Sequence, residues 1–315
     1  MGKMIRAVLL PRALQAAMVA WTVGTLTFVL TRALPGDMAY RIAAGRYGYD
    51  NVDAAAAAAV SRELGLDRSP LSAYASWLWD LLTLNLGRDM VSNEPVWSEV
   101  SHQVGHSLVL ALVAIGFALL LGPALGVVAG LRRQGAIDHA SLALSTALRS
   151  VPPFILGIGL VIVVAVELRW LPAAGHGGFA HAILPGLALA LGLAAVSSRV
   201  TRNAVVAVAR SPFFAFARTK GLDESTAFRR HGARNVAVPV VSYFGVQLIY
   251  LIEGVVVVES LFAWPGIGHA LVHAIVARNV PMIQGTALVM GLMFVLLNAV
   301  VDGICWTLDP RRRAS

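Results

Sequence analysis

Apolar runs long enough to cross a bilayer as helix alternate along the chain with polar segments of very unequal length. The pattern predicts six spans: Ala13–Thr31, Leu108–Leu131, Val151–Leu168, Ile183–Val200, Val236–Val258 and Met282–Trp306. Lipid cannot satisfy an open backbone, so each run is expected to be helical and the fold class all-α, polytopic and membrane-bound. The first run follows Lys3, Arg6 and Arg12, as the core of a signal peptide would. It is too long for one, and no small-residue cleavage pattern follows, so it reads as a retained anchor. The expected organisation is an N-terminal end with the first span (1–34), a long extramembrane segment (35–106), and a core of five further spans (107–315). Within that core, 205–235 and 259–281 are the principal stretches outside lipid.

The segment 35–106 carries its own helix signals. Asp53 precedes an alanine-rich run and reads as an N-cap. Ser69-Pro70 is a cap and first-turn pair. Beyond it, Leu71, Tyr74, Trp77, Leu78 and Leu81 fall on roughly one face. Tryptophans near a bilayer often sit at headgroup level, so a small helical cap on the outer face is expected, against the alternative of a solvated loop.

Composition agrees with the pattern. The chain is 57% apolar and 13% charged, and a soluble domain usually carries about twice that charge share. The net charge of +8 could suit nucleic acid, but the basic residues gather at span ends, which fits topology better. The N-terminus, 132–150, 199–235 and the C-terminus hold 17 Lys and Arg; the other side holds 8, five of them in the one long loop. Both termini are therefore expected in the cytoplasm and 35–106 outside. Cys305 is the only cysteine, so no intrachain disulfide is possible.

The densest charge cluster, SPFFAFARTKGLDESTAFRRHGARNVAVP at 211–239, sits between two apolar spans. Ser211-Pro212 opens a short helix that runs to Lys220, with Gly221 as a left-handed cap. Asp223 caps a second short helix that ends near His231-Gly232. A loop that only fixes topology needs the arginines, but not the caps, the exposed Phe213, Phe214 and Phe216, or the acidic pair Asp223 and Glu224. Those features suit an element that presents aromatics to a groove on a partner.

The motif A-R-T-K-G-L followed by R-R-H-G-A-R-N-V-A-V-P resembles the signature loop of ABC-importer permeases. R-A-L-P-G-D at 32–37, L-G-L-D at 64–67, W-L-P-A-A-G at 170–175, E-S-L-F-A-W-P-G-I-G at 259–268 and L-D-P-R at 308–311 extend the likeness across nearly the whole chain. Together they resemble the dipeptide, oligopeptide and nickel permeases, in the subunit with a long periplasmic segment after the first span. Thr219 stands where the signature usually has Ala, and Met38 where Pro is usual.

The resemblance implies a type I importer fold in the bacterial inner membrane. It also implies a second permease forming a heterodimer, two ATP-binding subunits and a periplasmic substrate-binding protein. ATP and Mg would then be bound by the partners, this chain holding no cofactor and catalysing no reaction. Phe216, Arg218, Lys220, Gly221, Asp223, Glu224, Arg229 and Arg230 are the residues it implicates in coupling to the ATPase. Independently, a P-loop needs Gly-Lys-Ser/Thr, and the only lysines, Lys3 and Lys220, are followed by Met4 and Gly221. The chain therefore carries no conventional P-loop.

Tyr243, Gln247, Tyr250 and Glu253 recur every three or four residues along the fifth span and share a face. Intramembrane polar groups either line a pathway or hold helices together, and Gln247, Tyr250 and Glu253 are read as pathway candidates. Asn298 and Asp302 lie four residues apart in the sixth span, and Asp302, near its inner end, reads as structural. Six of the eight histidines fall on or near the outer side; His102/His106 and His269/His273 have the i, i+4 spacing that can share a metal on a helix. Scattered surface polarity is the reading favoured for them, so His269 and His273 are speculative ligands. The substrate is expected to be a small peptide, nickel or a metal chelate. An ion-gradient-driven secondary transporter is the alternative; it would use Glu253 and Asp302 for coupling, yet it leaves the 211–239 element unexplained and calls for an inverted repeat that is not visible. No nucleophile–base pair or dense ligand cluster supports a membrane enzyme.

Overall fold

The structure is a computed structural model that describes residues 10–33, 36–48, 50, 52–64, 69–83 and 85–308. Side chains at 31, 32, 38, 64, 224, 225, 231, 248–250, 252–254 and 300–308 lie outside that description. Among the described residues, helix is the only regular element apart from an isolated bridge between Arg88 and Pro95.

The chain divides into two compact units, one comprising residues 1–106 and 265–315 and the other 107–264. In the first, α1 (Leu10–Ala33) packs along α13 (Val280–Leu308), with Gly291 seated against Val19. Helices α2 (Met38–Tyr47) and α3 (Ala54–Leu64) pair around buried Ile42, Ala43 and Val60. Each begins on its aspartate: Asp37 accepts from the amide of Ala39 at 2.8 Å, and Asp53 from that of Ala56 at 2.8 Å. Ser69 and Pro70 open α4 (Pro70–Leu82), as the sequence predicts. Tyr74 and Trp77 of that helix stack with each other and meet Phe28 of α1, and the Tyr74 hydroxyl lies 2.9 Å from that of Thr25. Val96 and Val100, on the first turns of α5 (Val96–Leu131), form a second small core with Ile267 and Ala274 of α12 (Ile267–Ala277) and with Met282 and Ile283.

In the second unit the rest of α5 lies on α8 (Phe179–Ala209) through a ladder of glycines. A Cβ on Gly122, Gly126 or Gly130 would collide with Ser197, Thr201 or Val205. Small residues at every fourth position let two backbones approach where hydrophobic transfer offers no drive between helices. Helix α6 (Ala136–Ser150) lies on the same α8, and Ser145 meets Ser198 at 2.9 Å. The main core runs through α5, α8 and α11 (Ala233–Leu261), with Phe262 and Trp264 closing one end.

Each expected span falls on helix, with two differences of shape. The third is helical but not uniformly α: α7 (Pro153–Leu160) continues as a π-helical stretch, Val161–Glu167, and a 102° bend separates this pair from the preceding α6. Pro152 and Pro153 account for the break, because proline disfavours helix in the residue before it and cannot bond to the preceding turn. The second short helix also does not stop at Gly232. Glu224–Ala227 continues as a π-helical turn, Phe228–Gly232, directly into α11, and Gly232 keeps right-handed helical angles. Among the described residues four helices are long and apolar enough to cross a membrane, or five if the bent pair is one span. Helix α11 is 29 residues long, with six of its side chains outside the described set.

Candidate functional site: the 211–232 elbow

Helix α9 (Pro212–Thr219) begins on Ser211, whose hydroxyl accepts from the Phe214 amide and donates to the Val208 carbonyl at 2.6 Å. Proline at the first position suits a turn whose amide would have no partner. The helix ends as the sequence predicts: Gly221 takes φ +86°, where a side chain would be strained. Asp223 then caps the next turn, accepting from Thr226 at 3.1 Å. That turn is α10 (Glu224–Ala227).

The elbow has two faces. Phe214, Ala217 and Ala227 are buried in the main core, where Leu222 and Phe228 pack against them. Phe213 and Phe216 are 44% and 60% exposed, and Arg218, Lys220, Arg229 and Arg230 point to solvent. The Lys220 ammonium sits 4.7 Å from the Phe216 ring centroid, a cation–π contact that orients both side chains outward. Of the three phenylalanines read as exposed, Phe214 is instead the anchor. The structure thus brings Phe216, Arg218, Lys220, Gly221 and Asp223 together on one capped turn; the side chain of Glu224 lies outside the described residues. The exposed aromatic and basic side chains suit docking of a complementary surface.

On α11, the Tyr243 hydroxyl donates to the Leu193 carbonyl of α8 at 3.3 Å. This end of the polar face therefore joins helices. The side chains of Tyr250, Glu253 and Asp302 lie outside the described residues. Near the end of α11, Glu259 is fully buried and accepts from the Ser107 hydroxyl of α5 at 2.5 Å, while its carbonyl accepts from the Trp264 amide at 2.8 Å. Glu259→Ala should destabilise this unit by about 2 kcal/mol, because a buried side-chain hydrogen bond to the Ser107 hydroxyl is lost. Glu259→Gln keeps an acceptor oxygen and should recover most of that loss in thermal inactivation of the purified protein.

One cluster escaped sequence reading. Asp138 of α6 is buried and held by Arg202 of α8 through both oxygens, at 2.5 and 3.1 Å. The Gln134 amide donates at 3.1 Å, and Arg199 adds a longer contact at 3.5 Å. Counted only as topological charge, Arg199 and Arg202 in fact bind two helices together. The available signal was a lone acid directly after a basic turn, R-R-Q-G-A-I-D.

The histidine pairs are real neighbours. The rings of His269 and His273 lie 4.4 Å apart between centroids, and those of His102 and His106 5.1 Å. Burial, and then the neighbouring His273, lower the His269 pKa below the ordinary histidine value. Among the described residues no group of three or more His, Cys, Asp or Glu side chains converges as a metal site would require.

An α-helical chain with several apolar spans, buried polar groups between its helices and a charged, solvent-facing elbow is organised as a multi-pass membrane protein. The chain belongs to the family described as the inner membrane component of binding-protein-dependent transport systems, whose model matches residues 122–314 and so includes the elbow. It is similar to a glutathione transport system permease protein of Pectobacterium atrosepticum, 37% identical over 288 residues, 91% of this chain and 92% of that one. A glutathione transport system permease protein of Escherichia coli is 36% identical over 92% of this chain and 94% of its own. A Brucella melitensis protein, provisionally named a peptide transport system permease, is 36% identical over 98% and 99%. The chain is thus an ABC transporter permease, a non-catalytic membrane component.

Proposed function

We propose that this chain forms the translocation path of an ATP-driven importer for small peptides, with a glutathione-sized substrate delivered by an extracytoplasmic binding protein. The observation that carries the reading is the elbow: a capped turn, anchored by Phe214 and Ala217, that holds Phe216, Arg218 and Lys220 outward. The likeness to glutathione and peptide permeases over nine-tenths of the chain supports the substrate class. Nickel and metal chelates, weighed from the histidines, have no comparable support.

In this reading the elbow and both termini face the cytoplasm, and the elbow docks on one of two ATP-binding subunits that carry ATP and Mg. A second permease completes the path. Closure of the ATP-binding subunits moves the elbow, which runs without a break through Phe228–Gly232 into α11. Helix α11 packs along α8, so the motion tilts the helices that carry Gln247, Tyr250 and Glu253, the proposed pathway face. Alternating access follows from two packings of one helix set.

The test is reconstitution of the chain with the products of its neighbouring genes in proteoliposomes. Uptake of labelled glutathione or dipeptide should require both ATP and the binding protein. Uptake that follows a proton gradient without ATP would establish the secondary-transporter alternative instead.

A further inference from the structure

Helix α4, Pro70–Leu82, has a face that the reading above does not use. Its inner face packs on the first span: Tyr74 and Trp77 meet Phe28, Tyr74 bonds Thr25, and the Trp77 ring fills the place of a side chain at Gly24. The apolar stretch of α1 ends at Leu30. At 1.5 Å per residue, Gly24 lies about 9 Å back from that end, so α4 leans on the span well below its rim.

The outer face carries Leu71, Trp79 and Leu82, exposed by 80%, 68% and 72%. No residue of this helix is buried, and Asp80 is its only charge. Asp80 turns away from that face, into a cavity of about 110 Å³ shared with Trp77, Asn85 and Gln284. It accepts there from the Asn85 amide at 3.3 Å. A helix in water normally places its charges outward and its apolar residues inward. Here the charge is inward, and large apolar groups look out.

We infer that α4 is embedded in the leaflet at the C-terminal end of α1, with Leu71, Trp79 and Leu82 in contact with acyl chains and the lower headgroups. The occupant is lipid because the span on which α4 packs is itself apolar and exposed (Trp21, Leu26, Val29 and Leu30, each more than half exposed), and because Trp77 of α4 reaches Gly24, below the end of that span. An interfacial helix with an indole and two leucines on its lipid face fits this depth. The segment after the first span is then part of the membrane anchor and clamps α1 from the side. Only the assignment of the leaflet as the outer one rests on the proposed topology; the depth does not.

Nitroxide labels at Leu71→Cys, Trp79→Cys and Leu82→Cys, each with Cys305→Ser, test this in the whole transporter in lipid nanodiscs. Leu26→Cys serves as the lipid reference and Arg62→Cys as the water reference. The expected result is a ratio of oxygen to nickel-chelate collisions above unity at all three positions, as at Leu26. A ratio below unity, as at Arg62, overturns the inference in favour of a solvated helix. Suppressed collisions with both reagents overturn it in favour of a protein occupant. With cysteines absent from α4, brominated acyl chains should quench the native chain more than its Trp79→Phe variant; equal quenching also overturns the inference.

Discussion

Reversing Arg218 and Lys220 to Glu is expected to strip the ATP-binding subunits from the purified protein while leaving its insertion and its helices intact. Both side chains are solvent-exposed, so the chain's own packing does not depend on them. Phe216→Ala should act in the same direction, because it removes an aromatic anchor that is 60% exposed and also releases Lys220 from its ring. Buried aromatic and basic anchors at the centre of an interface are commonly worth about 2 kcal/mol or more, roughly a thirtyfold loss of affinity. Phe214→Ala must behave differently. That side chain belongs to the core, so its loss lowers the thermal stability of the permease itself as well as coupling. Co-purification at increasing dilution separates the two cases: Phe216→Ala should lose its partners at unchanged stability, and Phe214→Ala should lose stability first. Full association and uptake in the Arg218→Glu, Lys220→Glu double variant would remove the elbow from the coupling path.

Local chemistry was legible and tertiary pairing was not. Ser211-Pro212, Gly221, Asp223, Ser69-Pro70 and Asp53 act through neighbours two to four residues away, so a reader of the sequence meets cap and partner together. The apolar runs located the helices because lipid leaves the backbone no other choice. The 102° turn before α7 was present as Pro152-Pro153, but a hydropathy pattern reports burial in lipid and not direction. The π-helical turn at Phe228–Gly232 is invisible for the opposite reason. A glycine after His231 resembles a helix end, yet Gly232 keeps right-handed helical angles, with Val208 and Phe228 crowding the place a side chain would take. Phe214 and Phe216 lie two residues apart in one aromatic cluster; only the packing of α9 shows that the first faces the core and the second faces out. On the polar face of α11, spacing reports only which residues share a side of the helix, while the bond from Tyr243 to Leu193 depends on a residue 50 positions away.

The same gap between near and distant partners makes Arg202→Ala the largest expected loss of stability. The Asp138–Arg202 pair joins residues 64 apart, and the carboxylate side chain is only 7% exposed. Removing the guanidinium leaves a buried anion with the Gln134 amide and a 3.5 Å contact to Arg199. Breaking a buried pair from one side commonly destabilises by about 3–5 kcal/mol, because the surviving charge remains desolvated. Asp138→Asn should cost less than Arg202→Ala, since the amide is neutral and can still accept from Gln134. Arg202→Lys should fall between, because an ammonium cannot reproduce the fork across two oxygens. Replacing both residues with leucine should recover much of the loss, as paired apolar groups incur no charge burial. Unfolding in mixed micelles titrated with SDS measures all four variants on one scale. If Arg202→Ala proves no worse than an exposed pair, within about 1 kcal/mol of the native chain, then water reaches Asp138 and the α6–α8 contact rests on the serines and glycines alone.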